Sequence, residues 1–213
     1  MKRFCSQLAA LALGIMSASA QVIWVNEFHY DNAAADLGEF VELAVPSSFT
    51  ALSTATLTLY NGNDGSSYGA HTLDTFTVGG TLGGYTFYSK LITGIQNGAP
   101  DGFALDVSGT VLQFLSYEGT FAATSGPAVG LNSVDIGVSE SDPGTAVGSS
   151  LGLSGTGSSY ADFTWAVFAL DTAGQINAGQ TLTPVPEPRE YALIAGAGLL
   201  GFALIRRQLL KRA

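Results

Sequence analysis

Between its two ends the chain carries one dominant pattern: short runs in which apolar and polar residues alternate, punctuated by Asn, Asp, Gly and Pro. Period-two alternation places every second side chain on one face of a pleated strand. No stretch before residue 184 sustains the three-to-four-residue spacing that a helix needs to bury a stripe. The runs are residues 22–30, 40–45, 56–60, 69–78, 85–91, 102–107, 111–117 and 163–170. Pro46 stops the second. Asn61-Gly62-Asn63-Asp64-Gly65 follows the third and predicts a hairpin, because Asn and Gly accept positive φ. Asp106-Val107-Ser108-Gly109 predicts the turn between the sixth and seventh, and Trp165 is the expected core anchor of the last. Residues 119–159 break the pattern, being rich in Gly, Ser and Ala and poor in large apolar residues. They read as a long loop laid partly on the domain, with one short strand over 134–138. Seven to nine short strands with such turns predict an all-β sandwich over residues 21–183.

Charge narrows the function classes. The whole chain has a formal charge of −9, but most of its basic residues lie at the two ends. Between residues 21 and 183, Lys90 is the only base against fifteen acidic side chains, a formal charge of −14. Such a surface repels phosphate backbones, which excludes direct nucleic-acid binding. It tolerates divalent cations and stays soluble among other polymers. The only cysteine, Cys5, lies near the N-terminus, so the domain has no disulfide, no cysteine metal ligand and no cysteine nucleophile.

Both ends carry targeting chemistry. Lys2 and Arg3 precede an apolar core over residues 8–16 and the small residues Ser17-Ala18-Ser19-Ala20. This order predicts a secretory signal peptide over residues 1–20, cut between Ala20 and Gln21. Its apolar core is too short for a retained anchor. At the other end Pro184, Pro186 and Pro188 alternate with Val185 and Glu187, a stiff and extended strip. An uncharged run over residues 191–205 follows, then a basic tail over 206–213 opening with Arg206-Arg207. The run predicts a single C-terminal transmembrane helix. It is short of the roughly 20 residues a span needs, with snorkelling by Arg206 and Arg207 and the apolar Leu209 and Leu210 making up length. The basic tail marks the cytoplasmic side.

The motif Val185-Pro186-Glu187-Pro188, the apolar segment and Arg206-Arg207 together resemble the PEP-CTERM sorting signal of Gram-negative bacteria, here residues 184–213. The resemblance implies recognition by an exosortase, a membrane cysteine protease-transpeptidase. It further implies transient anchoring in the inner membrane, cleavage near the motif and delivery to the cell surface or matrix, usually beside exopolysaccharide production. A second resemblance covers residues 22–172. Val25-Asn26-Glu27-Phe28-His29-Tyr30-Asp31-Asn32 and the later Glu39-Phe40-Val41-Glu42-Leu43 look like the start of a bacterial lamin-tail-like domain. Asp101-Gly102-Phe103-Ala104-Leu105 and the run over 111–119 are similar to later parts of it. That family implies an immunoglobulin-like sandwich, found beside secreted hydrolases as an accessory domain without an active site of its own.

Candidate chemistry in the domain is sparse. His29 and His71 are the only histidines. Alternation puts Glu27, His29 and Asp31 on one strand face, with Asp36 near, which a metal site could use. The plainer reading is a polar face in which Asn26 and Asp31 satisfy turn backbone. Glu39 and Glu42, three apart, face opposite sides and form no acid–base pair. Glu27 could meet Glu39 or Glu42 across strands, at a separation the sequence does not set. Residues 61–65 match a calcium loop only in part, lacking its later Glu. There is no phosphate loop before a helix and no nucleophile elbow. The expectation is therefore a non-catalytic exported surface or matrix protein with no cofactor, a divalent cation being the one candidate. Its expected partners are the secretion machinery, an exosortase, the membrane, and exopolysaccharide or other surface proteins. The alternative is a metal-assisted secreted hydrolase, or an accessory domain of one.

Overall fold

The computed structural model describes residues 22–184 and 188–212, which fall into a β-sheet domain and a separate C-terminal helical unit. The signal-peptide reading, the Ala20–Gln21 junction and Val185, Pro186 and Glu187 of the sorting motif lie outside the described residues.

The domain is a β-sandwich. Its strands in chain order are β1 (Trp24–His29), β2 (Phe40–Pro46), β3 (Ala55–Asn61), β4 (Ser66–Thr72), β5 (Thr77–Leu82) and β6 (Tyr85–Leu91). They continue as β7 (Asp101–Val107), β8 (Thr110–Tyr117), β9 (Val134–Asp135), β10 (Ser150–Gly157), β11 (Phe163–Phe168) and β12 (Gln180–Leu182). One sheet has the order β11-β10-β1-β2-β6-β5, with β12 pairing in parallel to the far end of β10. The other has the order β4-β3-β7-β8-β9.

Alternation explains what fills the space between the sheets. Val25 and Phe28 of β1 and Val41, Leu43 and Val45 of β2 meet Leu57 and Leu59 of β3, Phe103 and Leu105 of β7, and Leu115 and Tyr117 of β8. Phe28 is the hub, edge-on to Phe103 at 4.9 Å and to Trp165 at 5.4 Å. Each such ring or branched side chain contributes on the order of 1.5–3 kcal/mol when it leaves water.

The outer faces are also apolar and are covered. Trp24, Ala44, Tyr85 and Phe87 lie opposite the inter-sheet residues of β1, β2 and β6, and Leu153, Phe163 and Leu182 pack on them. Tyr60, Ala104 and Phe114 of the other sheet are covered by Phe121, Ala123 and Ala128. The Tyr60 hydroxyl donates to Ser125 O and accepts from Ala128 N, both at 3.0 Å, tying that cover down.

Four features depart from the sequence reading. The run 69–78 is broken at a 3₁₀ turn, Leu73–Thr75, which carries the chain from one sheet to the other. Residues 119–159 are mainly loop, laid as the cover on β3, β7 and β8 and holding the edge strand β9, but they also contain β10, which lies between β1 and β11 inside a sheet. Strand β12 extends the domain's sheet structure to residue 182. Trp165 is only half-buried, and Trp24 is the buried tryptophan. Strand β10 escapes a propensity reading because it is SLGLSGTG. The space above Gly152 is taken by the Phe168 ring and the Asn177 amide, 2.8 and 2.7 Å from where a Cβ would stand.

The helix α1 (Pro188–Arg212) starts at the last proline of the motif and continues through the basic tail. Its uncharged stretch, residues 191–205, rises roughly 22 Å at 1.5 Å per residue, against a hydrocarbon core of about 30 Å. Among the described residues no helix is long and apolar enough to cross a membrane. Arg206 and Arg207 are exposed.

Close backbone approach makes a sharp test. Gly80 N donates to Gly174 O at 2.7 Å, and a Cβ on Gly79 would overlap Gly174. Gly79→Ala is expected to cost about 1–3 kcal/mol, read as a lower urea midpoint with unchanged slope. Gly94→Ala meets nothing within 4 Å and carries only the strain of its φ of 82°. It is expected to cost the smaller amount.

Candidate functional site

The polar residues singled out at the start of the domain lie in one stretch of β1 and the loop after it, but they belong to three separate arrangements. The cause is a bulge. The β1–β2 register slips between Val25 and Glu27, so Val25 opposes Leu43 and Glu27 opposes Glu42. Asn26 is the extra residue, and it joins Glu27 on the outer face while Val25 and Phe28 both point into the core.

The first arrangement is a clamp. Asn26 Nδ2 donates to Glu42 Oε1 at 2.9 Å and to Asn177 Oδ1 at 3.0 Å. Asn177 Nδ2 returns to Asn26 O at 2.9 Å and Leu153 O at 3.0 Å, and Gln180 Nε2 donates to Asn26 Oδ1 at 2.8 Å. Glu27 accepts from Ser150 Oγ at 2.6 Å and from Thr172 N and Oγ1 at 2.9 and 2.7 Å. Glu42 Oε2 accepts from Gly174 N at 2.5 Å. Glu27 and Glu42 are thus the cross-strand pair that the sequence left open, and neither has any exposed surface. Segment 171–180 lies over them, so the pair holds the fold together and has no access to a polymer substrate.

Burial pushes Glu42 up to about 8, reinforced by the neighbouring Glu27 charge and opposed by the Asn26 and Gly174 donors. Glu27 is also raised, by burial first. The only base in the domain, Lys90, is elsewhere, donating to Thr75 O and lying 5.9 Å from the Phe76 ring.

The second arrangement surrounds His29. Its Nδ1 meets Glu140 Oε1 at 2.8 Å and its Nε2 meets Asn32 Nδ2 at 2.8 Å. Glu140 Oε2 accepts from Tyr30 N at 2.7 Å and Asp31 N at 3.1 Å. The Tyr30 ring stacks on Tyr117 at 3.9 Å, and its hydroxyl donates to Glu118 Oε1 at 2.8 Å. Burial works against a charge on His29, and Glu140 outweighs it, raising the pKa. Both imidazole nitrogens are engaged, and His29 is 1% exposed. This histidine docks the 139–145 loop on the end of β1. Glu140 was missed in the sequence because it sits 111 residues away, in a stretch read as loop.

The third arrangement lies just beyond β1, which ends at His29. Burial, followed by the Asp36 charge, raises the Asp31 pKa. Glu39 Oε2 accepts from Gly94 N at 2.7 Å. Glu27, His29, Asp31 and Glu39 therefore do not converge on one centre. Among the described residues no group of three or more His, Cys, Asp or Glu side chains is placed to hold a metal ion.

Elsewhere, residues 61–65 form the expected turn: Asn61 Oδ1 accepts from Asn63 N at 2.8 Å and Asp64 Oδ1 from Ser66 N at 2.8 Å. His71 stands apart on β4, its pKa lowered by burial and by Lys90. Beside the hairpin a polar hollow of 400 Å³ is lined by Asn61, Asn63, Gln96, Asn97 and Asp101 among others. Asp101 is committed to Gly62 N and Gly98 N, at 2.8 and 2.7 Å. Comparison with protein-family models, curated proteins and solved structures returned no match.

The clamp carries a pH signature. A buried acid whose folded pKa is raised stays protonated in the fold while the unfolded chain ionises, so its contribution is full below about 4.5 and is lost as pH rises towards 8. Thermal unfolding followed from pH 5 to 8.5 is expected to show falling stability, and Glu42→Gln is expected to flatten that slope.

Proposed function

We propose that this chain is an exported, non-catalytic surface or matrix protein whose sandwich is an immunoglobulin-like, lamin-tail-like domain. The observation that carries the non-catalytic reading is the fate of the polar side chains. Glu27, Glu42, His29 and Glu140 are buried and held by other protein groups. An enzyme needs such groups within reach of substrate.

The sorting reading rests on the tail. Val185-Pro186-Glu187-Pro188 is followed directly by the α1 segment and its basic end, the three parts of a PEP-CTERM signal in order. In this reading the exosortase grips the proline strip while α1 is lodged in the inner membrane. Arg206 and Arg207 reach back to the cytoplasmic headgroups, and Leu209 and Leu210 add apolar length. Cleavage then frees the acidic domain to the surface or to an exopolysaccharide or biofilm matrix. With −14 over residues 21–183 it stays dispersed among anionic polymers.

Two measurements test these parts separately. Replacing Pro186 and Pro188 together by Ala is expected to leave full-length protein in the inner-membrane fraction. Appearance of the variant at the surface in its processed size would remove the sorting reading. The wild-type protein is expected to give no turnover above background on glycan, ester and phosphodiester panels, and hydrolysis at enzymatic rates would overturn the non-catalytic reading.

A further inference from the structure

The hairpin after β3 and the loop after β6 meet at the polar hollow of 400 Å³, and main-chain contacts fix its walls. Asp101, the first residue of β7, is 3% exposed. One of its carboxylate oxygens accepts from Gly62 N at 2.8 Å and the other from Gly98 N at 2.7 Å. Each of those glycines follows an asparagine, so a single buried carboxylate sets both Asn61 and Asn97 at the hollow. Gln96 is pinned through its main chain. Its N–H donates to the Tyr68 hydroxyl at 2.9 Å, and its carbonyl accepts from the Tyr117 hydroxyl. The hairpin and the loop lie in close contact, since a Cβ on Gly62 would overlap Pro100 O.

The lining chemistry departs from the usual pattern. Small-molecule sites of about 300–1,000 Å³ are mostly apolar with a few polar groups. Here four carboxamides, those of Asn61, Asn63, Gln96 and Asn97, line the hollow, and no large apolar side chain does. Asp101 is the one charged residue of the lining, and both its oxygens are taken. Asn61 Oδ1 accepts from Asn63 N, and Asn97 Nδ2 lies 3.4 Å from Asp36 Oδ2. Among the described residues no protein group meets Asn61 Nδ2 or either end of the Asn63 and Gln96 side chains.

We propose that this hollow binds an uncharged, hydroxyl-rich ligand, the end of a neutral oligosaccharide. A carboxamide donates and accepts through adjacent atoms, and so do neighbouring hydroxyls on a sugar ring, so one amide can answer two hydroxyls. An anionic ligand finds no base here, because Lys90 is bound to Thr75 O, and it meets a domain of charge −14. A cation finds no uncommitted carboxylate oxygen in the lining. An apolar ligand finds no surface on which to leave water. A peptide draws its specificity from side-chain pockets, which the hollow lacks. The fixed main chain supplies preorganisation, so that binding does not have to order a loop. The site stands on the domain alone and goes beyond the sorting reading.

The test uses the full chain in a mild detergent, labelled with nitrogen-15 and followed by NMR at its side-chain amides. Maltotriose, cellotriose and xylotriose are the neutral probes, trigalacturonate the acidic one and trialanine the peptide one. At least one neutral trisaccharide is expected to shift the Asn61, Asn63, Gln96 and Asn97 amide signals saturably. The dissociation constant is expected on the order of 10⁻³ M, because groups already bonded to water gain little by exchange. Asn63→Ala and Gln96→Ala remove side chains without protein partners and are expected to fold and to weaken binding roughly five- to tenfold each. Gln175→Ala, which removes an exposed amide beside Gly80 on the other sheet, is expected to bind as wild type. No saturable shift with any neutral trisaccharide up to about 50 mM, well above that constant, would overturn the site and leave a solvent-filled hollow. Shifts from trialanine alone, or from trigalacturonate alone, would overturn it in favour of a peptide or an anion site. Undiminished binding in both Asn63→Ala and Gln96→Ala would place the sugar elsewhere and overturn it as well. None of these outcomes bears on sorting, which fractionation reads separately.

Discussion

The bulge at Asn26 is the constraint on which most of the domain depends. By inserting one residue into β1 it lets Val25 and Phe28 both enter the inter-sheet core while Asn26 and Glu27 both face outward. That outward pair would be a liability on its own, two polar side chains on a face already carrying Trp24 and Ala44. Asn177 turns it into an anchor, because an amide both gives and accepts and so can answer Asn26 and the Leu153 carbonyl together. Residues 171–180 fold back over the sheet through these contacts, beside the second apolar cluster.

The same logic sets the limits on chemistry. An acidic side chain can serve a reaction or hold a fold, and burial decides between the two. Glu27 and Glu42 face each other across strands with a low-dielectric cover and several donors, an arrangement that favours rigidity. Their raised pKa values are the expression of that burial and mark a structural network, even though perturbed acids are often taken as signs of active sites. His29 is a parallel case: a lone histidine beside carboxylates in sequence becomes a docking post for Glu140 in space.

Glycine and serine play an unexpected part. Residues 119–159 look too plain to build structure, yet one section forms the cover over Tyr60 and Phe114 and another supplies an internal strand. Small residues succeed there because their neighbours come so close: Phe168 and Asn177 occupy the space above Gly152. The strand β10 is held by main-chain ladders on both sides, and Leu151 and Leu153 supply its large buried side chains. This is why alternation and propensity passed over it.

Local chemistry alone was enough to read the strands β1, β2, β3, β6, β7 and β8, the hairpin at 61–65 and the acidic, cysteine-free character of the domain. Alternation, positive-φ turn residues and charge are all properties of neighbours in the chain. The order of the proline strip, the apolar run and the basic tail is likewise a property of the sequence. What only the tertiary structure decided is which distant groups meet: Glu140 with His29, Asn177 with Asn26, and the sheet partners of β10. A one-residue bulge and glycine-mediated close approaches set those meetings. Their energy lies in long-range burial and hydrogen bonding, which leave no mark on the local pattern.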